Sequence, residues 1–168
     1  MAFSLNEIKN LFENVFEFQK FLSRDENSKS VLENMLKKIR EYIDYDIISL
    51  FMFEEKSQKL KLVVNLGEPQ SLVDAVNFTL GKGGTIHSAR KKVPILMRNK
   101  YQGNQFNVNS FLAYPIIHKG TTLGIVSMGY YGNKQFTKKH VLYFKIFSIY
   151  LQNELIFLKY GADNKQGT

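Results

Sequence analysis

The chain contains no cysteine, and that absence closes off more chemistry than any residue present opens. Without a thiol there is no disulfide framework, no thiolate metal site, no cysteine nucleophile and no thioether link to a chromophore. Tryptophan is also missing, although 14 Phe and 9 Tyr supply rings for a core or a ligand pocket. No apolar run continues unbroken for long. Glu7, Lys9, Glu13, Glu17 and Lys20 interrupt the N-terminal periodicity, which no signal-peptide core tolerates, and Lys145, Gln152, Asn153, Glu154 and Lys159 break the closing run that would otherwise span a bilayer. The expectation is a cytoplasmic protein without a membrane segment.

Catalytic and metal signatures are lacking in the same way. His87, His118 and His140 show no metal-ligand spacing such as i, i+4. The nucleophile elbow Gly-x-Ser-x-Gly does not occur. Asp44, Asp46 and Asp74 have no partner at a spacing that demands acid and base roles. No catalytic residue and no metal ligand is therefore assigned, and the chain reads as a non-enzyme.

What is present suits one globular domain. The 168 residues are 44% hydrophobic and 23% charged, too apolar for a disordered chain and long enough to bury a core. The formal charge is +8, but the bases are scattered over Lys37-Lys38, Arg90-Lys91-Lys92, Arg98-Lys100 and Lys138-Lys139. With no reading helix and no RNA-binding signature, they read as surface solvation; a nucleic-acid partner would demand binding that weakens steeply with salt.

Periodicity orders the elements. Ile8, Leu11, Val15, Phe18 and Leu22 alternate spacings of three and four, so a helix over about residues 4–22 carries a coiled-coil seam that needs a partner surface. A second helix over about 29–42 presents Val31, Leu32, Met35, Leu36 and Ile39. Strands follow over 46–53 and 59–65, joined by Glu54-Glu55-Lys56-Ser57-Gln58, then a short strand over 76–80 and a strand over 93–97. Pro94 restricts that last one to an early or edge position. Phe111 to Tyr131, FLAYPIIHKGTTLGIVSMGYY, reads as a hairpin whose turn is His118-Lys119-Gly120-Thr121. Its strands are apolar on both faces, with Leu112, Tyr114 and Ile116 opposite Phe111, Ala113 and Ile117, and Leu123 and Ile125 opposite Val126 and Met128. Such strands lie mid-sheet, covered on both sides. A terminal helix over 137–160 carries one stripe of Val141, Phe144, Leu151, Leu155 and Leu158, interrupted by Ser148, and a second of Leu142, Ile149 and Ile156. One stripe can cover the sheet while the other stays free.

Pro115-Ile116, the polar turn with Gly120, Leu123-Gly124-Ile125-Val126 and the helix opened by Phe136-Thr137 together resemble the GAF family of small-molecule sensory domains, over about residues 29–160. The resemblance implies an α+β sandwich: a central antiparallel sheet, the N- and C-terminal helices on one face and a variable loop and helix ligand pocket on the other. It implies three segments, an N-terminal dimerisation and signalling helix over 1–24, the GAF-like domain over 25–160 and a polar tail over 161–168. The two family branches that depend on cysteine, the bilin photoreceptors and the free methionine sulfoxide reductases, are closed to this chain.

Within that frame Gly81-Lys82-Gly83-Gly84-Thr85 opens a short helix. Free amides at a helix start attract anions and glycines permit close approach, while Thr85 can cap the helix or bond a ligand. The expected ligand-binding residues are Phe78, Gly83, Gly84, Thr85, Tyr101, Phe106 and Phe111. Their function is to hold a non-covalent small molecule, whose state passes through the terminal helices of a homodimer to an output domain or partner protein. Asn99-Lys100 and Phe106 match the cyclic-nucleotide branch of the family, but Ser110-Phe111 replaces its acidic pair; cyclic nucleotide stands as an alternative ligand. A ligand-free dimerisation scaffold, its pocket collapsed by the same phenylalanines, is the other alternative.

Overall fold

The computed structural model describes residues 4–7, 9–10, 13, 27–67, 84–98 and 108–161. Asn27 starts the first complete helix, α1 (Ser28–Ile39), by accepting the Ser30 N–H at 3.0 Å. This satisfies one of the donors a helix start leaves free. Val31, Leu32, Met35, Leu36 and Ile39 are all buried, the face expected from their spacing.

Five strands form one antiparallel sheet in the order β2-β1-β5-β4-β3. They are β1 (Ile47–Glu54), β2 (Lys59–Leu66), β3 (Ile95–Arg98), β4 (Ser110–His118) and β5 (Thr121–Tyr130). β2, where lysines alternate with apolar residues, lies at one edge. β3, entered through Pro94, lies at the other. The doubly apolar strands β1, β5 and β4 occupy the middle, as both-sided burial requires. Lys119 (φ 47°) and Gly120 (φ 78°) make the two-residue turn between β4 and β5. Positive φ at both positions matches the twist of the strands they join.

The two faces carry separate cores. Ile48, Leu50, Leu112, Ile116, Val126 and Met128 pack under α1 and α3 (Lys138–Tyr160). On the opposite face Phe53, Phe111, Ala113 and Ile125 pack with Ala89 of α2 (Thr85–Lys91) and with Val108. One assignment from alternation is corrected. Leu123 joins the α1 and α3 side while Ile125 takes the other, because the pairing slips between Ile116 and Ile117. The extra residue this bulge inserts on β5 rotates Leu123 onto the opposite face.

The terminal helix also seats differently from its expected stripe. Phe144, Phe147, Leu151 and Leu155 are its buried residues, so Phe147 fills the turn that Ser148 interrupts in the stripe, and Val141 and Leu158 are only half-buried. Leu142 and Ile149 are exposed, Ile156 is half-buried, and the free apolar line runs on to Phe157 and Tyr160. By length and composition α3 could cross a membrane; here it lies on the sheet. Residues 5–7, 9–10 and 13 are helical, and Glu7 pairs with Lys139 at the start of α3. The seam from Ile8 to Leu22 and the strand expected over 76–80 lie outside the described residues.

Candidate functional site

The corner where α2 begins brings together three of the expected ligand-binding residues. Gly84 is the N-cap of α2, and Thr85 is its first residue. A Cβ at Gly84 would stand 2.8 Å from both Met97 Cε and Phe111 Cε1. No real side chain sits so close, and glycine is what lets the chain enter the helix against these two. Thr85 is fully buried, and its Oγ1 has no hydrogen-bond partner among the described residues. It does not cap α2, which has no side-chain cap. A buried hydroxyl left unpaired costs about 1–3 kcal/mol, so this group marks the corner as a place where a polar partner would be stabilising.

The far end of α2 is tied down, in contrast to its start. The buried Thr122 Oγ1 donates to Ala89 O at 2.8 Å, and Ser88 Oγ donates to Val93 O at 2.7 Å. Arg90 Nε donates to Gln58 Oε1 at 2.8 Å in the β1–β2 turn. Lys92, in the left-handed conformation that ends the helix, reaches Gly120 O in the β4–β5 turn and Glu55 in the other. Both hairpin turns therefore hold the C-terminal end of α2, while its N-terminal end rests on Met97 and Phe111.

Phe78, Gly83, Tyr101 and Phe106 lie outside the described residues, as do Asn99 and Lys100. Of the histidines, His87 is exposed on α2 and His118 closes β4 with Nδ1 2.6 Å from Gln152 Nε2. His140 caps α3: its Nδ1 accepts the Thr137 N–H at 2.8 Å. Met97 is the corner residue that sequence reasoning missed. No sequence signal pointed to it: the register of β3 on β4, which sets Met97 opposite Phe111 and Arg98 opposite Ser110, is decided by the fold. Ser110 is engaged elsewhere, since its buried Oγ accepts the Phe136 N–H at 2.9 Å and lies 3.5 Å from Met97 O.

Charge concentrates at the same end of the sheet, where β1 begins and β5 ends beside the start of β4. Lys134 pairs with Asp44 and holds its carboxyl below the usual range. The Tyr130 hydroxyl donates to Asp44 O, and burial, helped by the Asp44 and Asp46 charges, pushes it up to about 12. Asp46 Oδ2 accepts the Tyr131 N–H at 2.8 Å. These contacts fasten the connection into α3 and supply no acid–base pair at the α2 corner. Among the described residues no group of histidine and carboxylate side chains could hold a metal ion. A cavity of about 310 Å³ lined by Lys29, Glu33 and residues 62–65 lies between α1 and the β2 edge. It is on the other side of the sheet from the corner.

A central antiparallel sheet with long helices on one face and a short glycine-started helix on the other is the plan of an α+β sandwich domain. The sequence matches the GAF domain family over residues 25–148, and the chain belongs to that family. The fold is similar to the GAF domain of an Acinetobacter phosphoenolpyruvate-protein phosphotransferase, at 14% identity and TM-score 0.73, covering 96% of this chain and 99% of that one. It is similar to free methionine-R-sulfoxide reductase from Neisseria meningitidis, solved with its substrate, at 15% identity and TM-score 0.67, covering 92% and 94%. A segment of a methyl-accepting chemotaxis protein shares it at 14% identity and TM-score 0.60, covering 88% and 99%. No curated protein matches the sequence. The same fold thus occurs in a segment of a chemotaxis protein and in an enzyme, and at these identities the likeness speaks for the fold alone.

Proposed function

We propose that this chain is a non-catalytic sensory module that binds a small molecule over the α2 corner and passes its state through the terminal helices of a cytoplasmic homodimer. The ligand would lie between the sheet and residues 76–85 and 98–111. Phe78, Tyr101, Phe106 and Phe111 would supply stacking, with Thr85 and the Gly83 and Gly84 amides orienting its polar groups. The observation that carries this reading is the Thr85 hydroxyl, buried, unpartnered among the described residues and next to a glycine against Met97 and Phe111. Membership of a family found in signalling proteins supports it. The similar fold in a methionine sulfoxide reductase does not carry that activity here, because the resemblance ties those reductases to cysteine and this chain has none.

The proposed division of labour gives residues 1–24 the dimer and signalling role, 25–160 the sensing role and 161–168 a polar tail that could lead to an output domain or partner. Cyclic nucleotide is the weaker ligand choice. Ser110, where that branch has an acidic residue, is engaged with Phe136. Native mass spectrometry of freshly purified protein tests the reading. A dimer with a discrete extra mass supports the sensor, and a clean apo dimer favours a ligand-free scaffold, for which the tight contact of Gly84 with Met97 and Phe111 argues. Tyr101→Ala with Phe106→Ala separates the two further: a sensor loses affinity with little loss of stability, a scaffold loses stability.

A further inference from the structure

Successive residues of a strand face opposite sides of its sheet, and at the β3–β4 edge this alternation links two places that share no surface. Met97 and Phe111, paired across the strands, face α2 and meet Gly84. The next pair, Arg98 and Ser110, reaches Phe136. Arg98 Nε donates to Phe136 O at 3.2 Å, and the Phe136 N–H donates to Ser110 Oγ at 2.9 Å. Both sides of one fully buried residue are therefore gripped by the pair adjoining the corner.

Phe136 immediately precedes Thr137, the N-cap of α3, and its ring meets the His140 ring edge-on at 5.7 Å. Asn109 strengthens the attachment by donating from Nδ2 to Tyr131 O at 2.9 Å and Gly132 O at 3.1 Å. One turn along, Lys139 pairs with Glu7 of the N-terminal helical segment. A shift that reaches the backbone of Met97 or Phe111 carries Arg98 and Ser110 with it by covalent continuity, and these hold the root of α3.

We propose that Arg98 and Ser110 couple the Gly84, Met97 and Phe111 corner through the sheet to the first turn of α3, so that a change at the corner loosens or tightens that turn. The two residues are positioning residues, and the device deepens the sensor reading by naming how occupancy would reach the terminal helices. It rests on that reading for its purpose, but its test needs no ligand.

The test is a double-mutant cycle read by amide hydrogen exchange on the full chain. Gly84→Ala forces the Met97 tip or the Phe111 ring to move, since a methyl there would stand 2.8 Å from each. The expected result is exchange roughly fivefold faster at the His140 and Val141 amides, which bond Thr137 O, the ratio that loss of one ordinary hydrogen bond gives. Amides of α1 should keep their protection. In a Ser110→Ala background, where only Arg98 still holds Phe136, the same Gly84→Ala change should add clearly less at those two amides. An unchanged first turn, or an equal increment in both backgrounds, overturns the proposal. If Gly84→Ala does not fold, Met97→Ala opens space at the same contact and is read in the same way. A failure to find any ligand would count against the sensor and leave this cycle standing.

Discussion

Thr85 and His140 each hold a polar group in a state that a single substitution can probe. Thr85 buries a hydroxyl with no partner among the described residues, so Thr85→Val should stabilise the unliganded protein by about 1 kcal/mol, seen as a higher urea midpoint with unchanged slope. The same variant should lose any retained ligand that bonds the hydroxyl. At His140, burial and then the neighbouring Lys139 charge lower the imidazole pKa, and Nδ1 must be unprotonated to accept the Thr137 N–H. The folded state thus favours the neutral ring. Its contribution is full above the ordinary imidazole value near 6.5 and is lost as pH falls from there toward the lower folded value. Melting temperature should drop as pH falls below about 6.5, and His140→Gln, which can still accept from Thr137 but cannot titrate, should remove its share of the drop. Neither property was legible in the sequence, where Thr85 could cap the helix or bond a ligand and His140 showed only a lack of metal-ligand spacing. Burial and the nearest partner decide both, and they depend on elements far away in the chain.

At the scale of elements, the β4–β5 hairpin was legible because its signals are local: apolar runs on either side of Lys119-Gly120 and a turn that needs positive φ. Nothing lies within 4 Å of a Cβ built at Gly120, so Gly120→Ala tests backbone conformation alone. It should cost about 1 kcal/mol, measured by denaturant unfolding; no loss would mean that the turn relaxes to another type. The bulge opposite Ile116 and Ile117 was not legible. Alternation predicts which residues share a face only while the register holds, and one inserted residue moved Leu123 to the other core. The terminal helix shows the same limit. Both stripes could be drawn on α3, but only the packing against α1 and the sheet selected Phe147 to fill the gap that Ser148 leaves in the line from Val141 to Leu158.

For the molecule as a whole, the proposed dimer rests on what α3 leaves uncovered. Ile149 is 59% exposed and Phe157 66%, on a helix whose opposite side lies in the core. Ile149→Glu with Phe157→Glu should convert a dimeric species to monomer by light scattering, while the melting temperature of the fold itself changes little, as expected of exposed positions. A monomer in the unsubstituted protein would remove the dimer.

The amino-acid order alone determined the sequence of elements, the two-sided burial of the central strands and membership of the GAF family, since periodicity, turn chemistry and the lack of cysteine are properties of neighbouring residues and of composition. Only the tertiary structure decided which residues meet at the α2 corner, that Ser110 and Arg98 hold Phe136 from across the sheet, and which side of α3 remains free. Those are contacts between residues far apart in the chain, made where strand register and a bulge place them, and no local pattern encodes a register.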